Sequence, residues 1–136
     1  MAEQGSSVKR ILIAEDEPDM LTLLTSRLEA SGYQVLAVTN GEDALATAMA
    51  ERPDLIVLDV MLPGMDGYQV CRFLKGDARS KDIPVIMFTA KAQENDERLG
   101  LEAGAEAYLR KPFKGDALLE QIRLWLTASQ ERRRGL

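Results

Sequence analysis

Reactive side chains stand where the apolar runs of this sequence stop. Glu15 and Asp16 follow Ile11-Leu12-Ile13-Ala14, and Asp59 follows Leu55-Ile56-Val57-Leu58. Thr89 follows Val85-Ile86-Met87-Phe88, and Lys111 closes the weaker run from Ala105 to Leu109. Brought together, Glu15, Asp16 and Asp59 repel one another by several kcal/mol at an effective dielectric of about 20, so they hold either protons or a cation. With no histidine and one cysteine in the chain, the ligands are all oxygen. An all-oxygen site selects Mg²⁺, with Mn²⁺ as the alternate ion. Mg²⁺ takes one or two carboxylates and binds phosphate oxygens, Lys111 supplies a point charge, and Thr89 supplies a hydroxyl donor. These are the parts of phosphoryl transfer, with Asp59 as the nucleophile that becomes an aspartyl phosphate.

That chemistry requires elements that aim the residues at one place. The runs at 11–14, 55–58 and 85–88 are continuously apolar, as strands buried on both faces should be, and Val35-Leu36-Ala37-Val38 makes a further strand. Amphipathic stretches lie between them. Pro18 opens a helix with Leu21, Leu24 and Leu28 inward and Gly32 at its end; Asn40 caps one carrying Leu45 and Met49. Asp66 starts a third with Val70 and Leu74 inward, and the last presents Leu118, Ile122 and Trp125. The stretch from about Ala92 to Ala103 is mostly polar and holds Gly100, so it reads as a weakly anchored helix. The pattern is (βα)5, an α/β fold with a doubly wound parallel sheet and helices on both faces. Ligands of such sheets bind outside the carboxyl ends of the strands. Singly, each residue also has a plainer use: Asp16 as a helix cap before Pro18, Thr89 in a turn, Lys111 exposed to solvent.

Composition narrows the classes. At 136 residues, 46% of them hydrophobic and 29% charged, the chain suits one domain with a proper core. The missing histidine excludes imidazole-ligated zinc enzymes, Ser-His-Asp hydrolases and phosphohistidine carriers. A net charge of −5 argues against general binding of nucleic acid. MAEQGSSVKR lacks the apolar stretch of a signal peptide, no run approaches the roughly 20 residues needed to span a bilayer, and a lone Cys71 forms no internal disulfide. A cytoplasmic protein is expected, with no membrane partner.

Four motifs, in order, carry a family resemblance. Ile11-Leu12-Ile13-Ala14-Glu15-Asp16-Glu17 resembles the acidic-pair strand of response-regulator receivers, CheY-like proteins of two-component signal transduction. Leu55 to Asp59, with Met61-Leu62-Pro63-Gly64-Met65-Asp66-Gly67, resembles their phosphoacceptor strand and loop. Pro84 to Lys91 is similar to their switch-threonine strand, and Gly104 to Phe113 to their lysine-proline segment. The resemblance covers roughly residues 8 to 127, leaving 1–7 as an expected disordered N-terminus and 128–136 as a basic tail or linker with Arg132, Arg133 and Arg134.

The resemblance implies strand order 2-1-3-4-5 and a set of roles. Asp59 accepts a phosphoryl group from a histidine of a sensor histidine kinase or a histidine phosphotransfer protein. Asp16, Asp59 and the backbone carbonyl of Met61 hold Mg²⁺, with Glu15 acting through water. Thr89 swings toward the phosphoryl group, Tyr108 turns inward behind it, and Lys111 pairs with it. The Lys111–Pro112 bond is expected to be cis. The surface around residues 89–127 then changes for a downstream protein target. Met61 and Lys91 border the phosphoryl group, and Met61 is expected to hinder an attacking water and prolong the phosphorylated state.

Departures from the family pattern refine this. Glu15 stands where many members have Asp. Ala107, Ala117 and Gln121 replace the charges of one salt-bridged dimer, which makes that dimer doubtful, although a phosphorylation-dependent homodimer of another kind stays open. The sequence favours a stand-alone regulator or relay, with a receiver cut from a larger regulator as the alternative and no direct DNA binding expected. It is not expected to be an enzyme beyond self-phosphorylation from small donors and self-dephosphorylation. A Mg²⁺-dependent phosphatase with an aspartyl nucleophile is the nearest rival, but it usually carries a second Asp where Met61 stands, and Met61 cannot transfer a proton. A nucleotide- or flavin-binding domain is disfavoured because Glu15-Asp16-Glu17-Pro18 replaces a glycine-rich phosphate loop.

Overall fold

Strand and helix alternate along the chain as the apolar runs require. The computed structural model describes residues 8–89, 94–111 and 115–135. Residues 1–7, Lys91 and Pro112 lie outside them, and with them the expected N-terminal disorder, the Lys91 border and the cis Lys111–Pro112 bond. The elements are β1 (Arg10–Ala14), α1 (Pro18–Ala30), β2 (Gln34–Val38), α2 (Gly41–Glu51), β3 (Leu55–Asp59), α3 (Gly67–Gly76), β4 (Val85–Thr89), α4 (Glu94–Glu102), β5 (Ala107–Arg110) and α5 (Gly115–Arg133).

All strands are parallel, in the order β2-β1-β3-β4-β5. The order reverses between β1 and β3, and in such sheets the crevice for a ligand opens at that point. Every residue of β3 and β4 is buried, as is β1 beyond Arg10, whereas the edge strands β2 and β5 are partly exposed. Alternate residues of the central strands feed two apolar clusters. Ile11, Ile13, Val57, Ile86 and Phe88 meet α1 and α5 through Leu24, Leu28, Leu118 and Ile122. Leu12, Ile56, Leu58, Val85 and Met87 meet α2 and α3 through Ala44, Ala48, Val70, Cys71 and Leu74.

Local chemistry sets the helix starts beside the site. The cap of α1 is Glu17 rather than Asp16: its carboxylate accepts the Met20 N–H at 2.6 Å. Asn40 caps α2, and Asp66 and Gln69 form a reciprocal capping box on α3. On α2 the buried face is Gly41, Ala44 and Ala48, because the helix lies close on the sheet. Leu45 and Met49 line a groove shared with Gln69, Arg72 and Phe73 of α3, Leu45 also packing against the core cluster. Helix α5 runs through the buried Ser129 to Arg133, so residues 128–133 continue it as regular helix and the boundary expected at 127 falls inside an element.

Candidate functional site

The carboxyl ends of β1 and β3 lie side by side, with Ala14 opposite Leu58 in register. The chain therefore delivers Glu15 and Asp59 to adjacent positions. Both are almost completely buried, at 1% and 3% exposure, whereas Asp16 is exposed. One carboxylate oxygen from each of Glu15, Asp16 and Asp59 lies within 4.8 Å of the others.

Lys111 answers this crowding. Its ammonium donates to Glu15 Oε1 at 2.7 Å and to Asp59 Oδ2 at 3.3 Å. It also sits 4.8 Å from the centre of the Phe88 ring, in a cation–π contact. Burial pulls the Lys111 pKa down, but the hydrogen bond to Glu15 and the negative charges of Asp59 and Glu15 outweigh it, leaving the pKa above the ordinary lysine value. The remaining oxygens meet backbone donors. Glu15 Oε2 accepts the Glu17 N–H at 2.8 Å, and Asp59 Oδ1 accepts the Met61 N–H at 3.0 Å.

Nearby backbone carries the rest. Thr89 is fully buried at the end of β4, one residue past the Phe88 that pairs with Asp59, and its carbonyl accepts the Lys111 N–H at 2.7 Å. Gly67 opens α3 directly against the end of β3: a β-carbon there would lie 2.5 Å from the Asp59 carbonyl oxygen and 2.8 Å from Val60 Cα. Only glycine lets the helix start so close. The Met61 side chain is 53% exposed and lines a cleft of about 440 Å³ with Asp16, Pro63, Asp66 and Tyr68.

The sequence-selected residues thus divide by place. Glu15, Asp16, Asp59 and Lys111 converge, Met61 joins them through its N–H, and Thr89 flanks them. Tyr108 sits apart from the acids, opposite Met87 on β5, with its hydroxyl oxygen buried and its ring against α4 at Gly100. Three contributors escaped sequence reading: Phe88 beneath the lysine, the Glu17 N–H and Gly67. Gly67 alone left a trace, as a glycine directly after the Asp66 cap. Chemically, the site offers clustered carboxylate oxygens with an adjacent ammonium, a donor set that fits a hard divalent cation together with a phosphoryl group.

Residues 11–123 match the family described as response regulator receiver domain. The chain belongs to that family. This receiver domain is 45% identical over 122 residues to the alkaline phosphatase synthesis transcriptional regulatory protein PhoP of Bacillus subtilis (strain 168), a match covering 90% of the chain and 50% of PhoP. It is 44% identical over 113 residues to Protein PilH of Pseudomonas aeruginosa, covering 83% of the chain and 93% of PilH. Its fold superposes with a TM-score of 0.83 on the receiver domain of a sensor histidine kinase from Pseudomonas aeruginosa PAO1, solved with a magnesium ion coordinated in the active site cleft; the two are 34% identical, over 89% of this chain and 99% of that one. The receiver spans about half the length of the first curated relatives it matches, 50% of PhoP and 53% of a DNA-binding response regulator MtrA. No helix among the described residues is long and apolar enough to cross a membrane.

Proposed function

We propose that this receiver takes a phosphoryl group from a phosphohistidine of a sensor histidine kinase or histidine phosphotransfer protein onto Asp59, and that the altered surface engages a downstream protein. The carrying observation is Lys111 bridging Glu15 and Asp59 within a cluster of three carboxylates. An Asp59 oxygen attacks phosphorus; the P–O bond forms as the P–N bond breaks, and the imidazole nitrogen leaves with its electron pair. Lys111 then exchanges its contact with Asp59 for a phosphoryl oxygen, holding negative charge that builds on transfer. Thr89 turns its hydroxyl toward the phosphoryl group, and the Met61 N–H keeps the carboxylate oriented.

Asp16, Asp59 and the Met61 carbonyl are the residues that would hold Mg²⁺, and Glu15, whose oxygens already serve Lys111 and Glu17, would reach it through water. When bound, the ion offsets charge on the acids and the phosphoryl oxygens. The Pseudomonas receiver with magnesium in its cleft supports this choice of ion. Tyr108 is the second switch residue, relaying the change to the surface of 89–127. The chain is a signalling component rather than an enzyme, limited to its own phosphorylation and dephosphorylation, and it acts in the cytoplasm.

A second reading follows from the half-length match to PhoP, whose name makes it a transcriptional regulator: the receiver regulates a DNA-binding partner domain, while its own surface, in a chain of net charge −5, does not contact DNA. Both readings require the same first step. Intact-mass measurement after incubation with acetyl phosphate and Mg²⁺ should show one added phosphate, absent in Asp59→Asn and in the presence of EDTA. Equal uptake by Asp59→Asn would remove Asp59 from the role.

A further inference from the structure

Gly100 lies inside α4, where alanine is the better helix former, and it shows no left-handed backbone that would call for glycine. Its reason lies across the helix. A β-carbon built on Gly100 would come 2.8 Å from Tyr108 Cδ2, 3.1 Å from Cε2 and 3.2 Å from Met87 Sδ, closer than packed carbons approach. The Tyr108 ring occupies the space that a side chain at 100 would fill.

Either the ring or α4 must give way if that space is taken, and the far end of α4 is fastened. The Cys71 thiol donates to the Ala103 carbonyl at 3.5 Å. Gly104, at φ +105°, lies beneath the Lys75 side chain. The Lys75 ammonium in turn donates to the carbonyls of Lys81 and Ile83 and to Glu106, whose other oxygen accepts the Val85 N–H at 2.7 Å. The Tyr108 ring leaves that seat by rotation about its Cα–Cβ bond, with no shift of the backbone. We propose that Gly100 is a positioning residue: it admits the Tyr108 ring to its inward seat, and any side chain at 100 expels the ring toward solvent while α4 stays anchored at its C-terminal end. For its signalling consequence this rests on the receiver reading, which gives Tyr108 its switch role; the packing claim stands apart from it.

A thermal-unfolding cycle over wild type, Gly100→Ala, Tyr108→Ala and the double variant tests the seat, together with fluorine NMR of protein carrying 3-fluorotyrosine. With Tyr108 truncated, Gly100→Ala should raise Tm by a few degrees, because the helix improves and only the flexible end of Met87 has to yield a few tenths of an ångström. With Tyr108 present, the same change should fail to raise Tm, and the Tyr108 resonance should move toward its solvent-exposed value while those of Tyr33 and Tyr68 stay in place. Equal Tm gains in the two backgrounds, or an unmoved Tyr108 resonance, would overturn the inference. No phosphate enters either measurement. Wild type that accepts none from acetyl phosphate would undo the receiver reading alone, and a phosphorylated wild type with an additive cycle would undo the seat alone.

Discussion

Lys111 governs the charge balance at the carboxyl edge of the sheet, since it touches both Glu15 and Asp59 while only 17% of its side chain is exposed. Removing one partner of a buried ion pair strands the others, at about 3 kcal/mol for such a site. Urea unfolding of Lys111→Ala without metal should show a loss of that order, partly recovered by Mg²⁺; no loss would mean the acids do not need the ammonium. The raised Lys111 pKa fixes the direction with pH. On the alkaline side the lysine's contribution is fully present below its ordinary value of 10.5 and is lost as pH rises through the raised folded value, so there the wild-type advantage over Lys111→Ala should persist until strong alkali. Met61 gives a kinetic prediction. Its half-exposed side chain lines the cleft with Asp16, so if it shields a phosphoryl group on Asp59, Met61→Asn should admit water and speed loss of that group several-fold; an unchanged or slower decay of phosphoprotein would refute the shielding role. At this scale the residues that converge were legible because each ends an apolar run. Phe88 beneath Lys111 was not, because the contact depends on how β4 and β5 lie together, which no local pattern encodes.

The elements hold the site by close approach. Gly67 lets α3 begin against the Asp59 carbonyl, and a β-carbon at 2.5 Å from rigid backbone cannot be relieved by a side-chain turn. Gly67→Ala should therefore cost about 2 to 3 kcal/mol, read as a lower urea midpoint at unchanged m, and should also slow phosphorylation by shifting β3. Cys71 on the inner face of α3 is buried, and burial pushes its thiol up to about 11. Iodoacetamide at neutral pH should leave it unlabelled in the folded protein and label it in denaturant; rapid native labelling would show that α3 opens. Element types and order followed from continuous apolar runs alternating with amphipathic ones. The inner face of α2 left no mark in hydrophobic size, because a helix lying flat on a sheet selects Ala44 and Ala48. Where α5 ends was open between frayed helix and linker, because the polar end of the chain carries no apolar period to mark it; the helix runs to Arg133.

Across the molecule, one sheet reversal brings residues from distant parts of the chain to one cleft, so the carboxylate cluster proposed to hold Mg²⁺ exists only in the folded state. Mg²⁺ should then raise Tm by mass action, by about 2.7 kcal/mol of added stability at a hundredfold excess over its Kd, an effect of several degrees for a domain of this size. Asp16→Asn should abolish most of that shift, and an undiminished shift would place the ion elsewhere. The receiver family itself was legible before any coordinates, because its motifs fall at strand ends whose order the alternating pattern dictates. The placement of Tyr108 against Gly100 was not, since a mid-helix glycine looks like weakness until its neighbour is seen. The most direct test of the whole account is the location of the acid-labile phosphate. Borohydride reduction of protein treated with acetyl phosphate and Mg²⁺, followed by peptide sequencing in the mass spectrometer, should find homoserine at position 59 and unmodified Glu15 and Asp16. Reduction product at another carboxylate, with Asp59 intact, would contradict it.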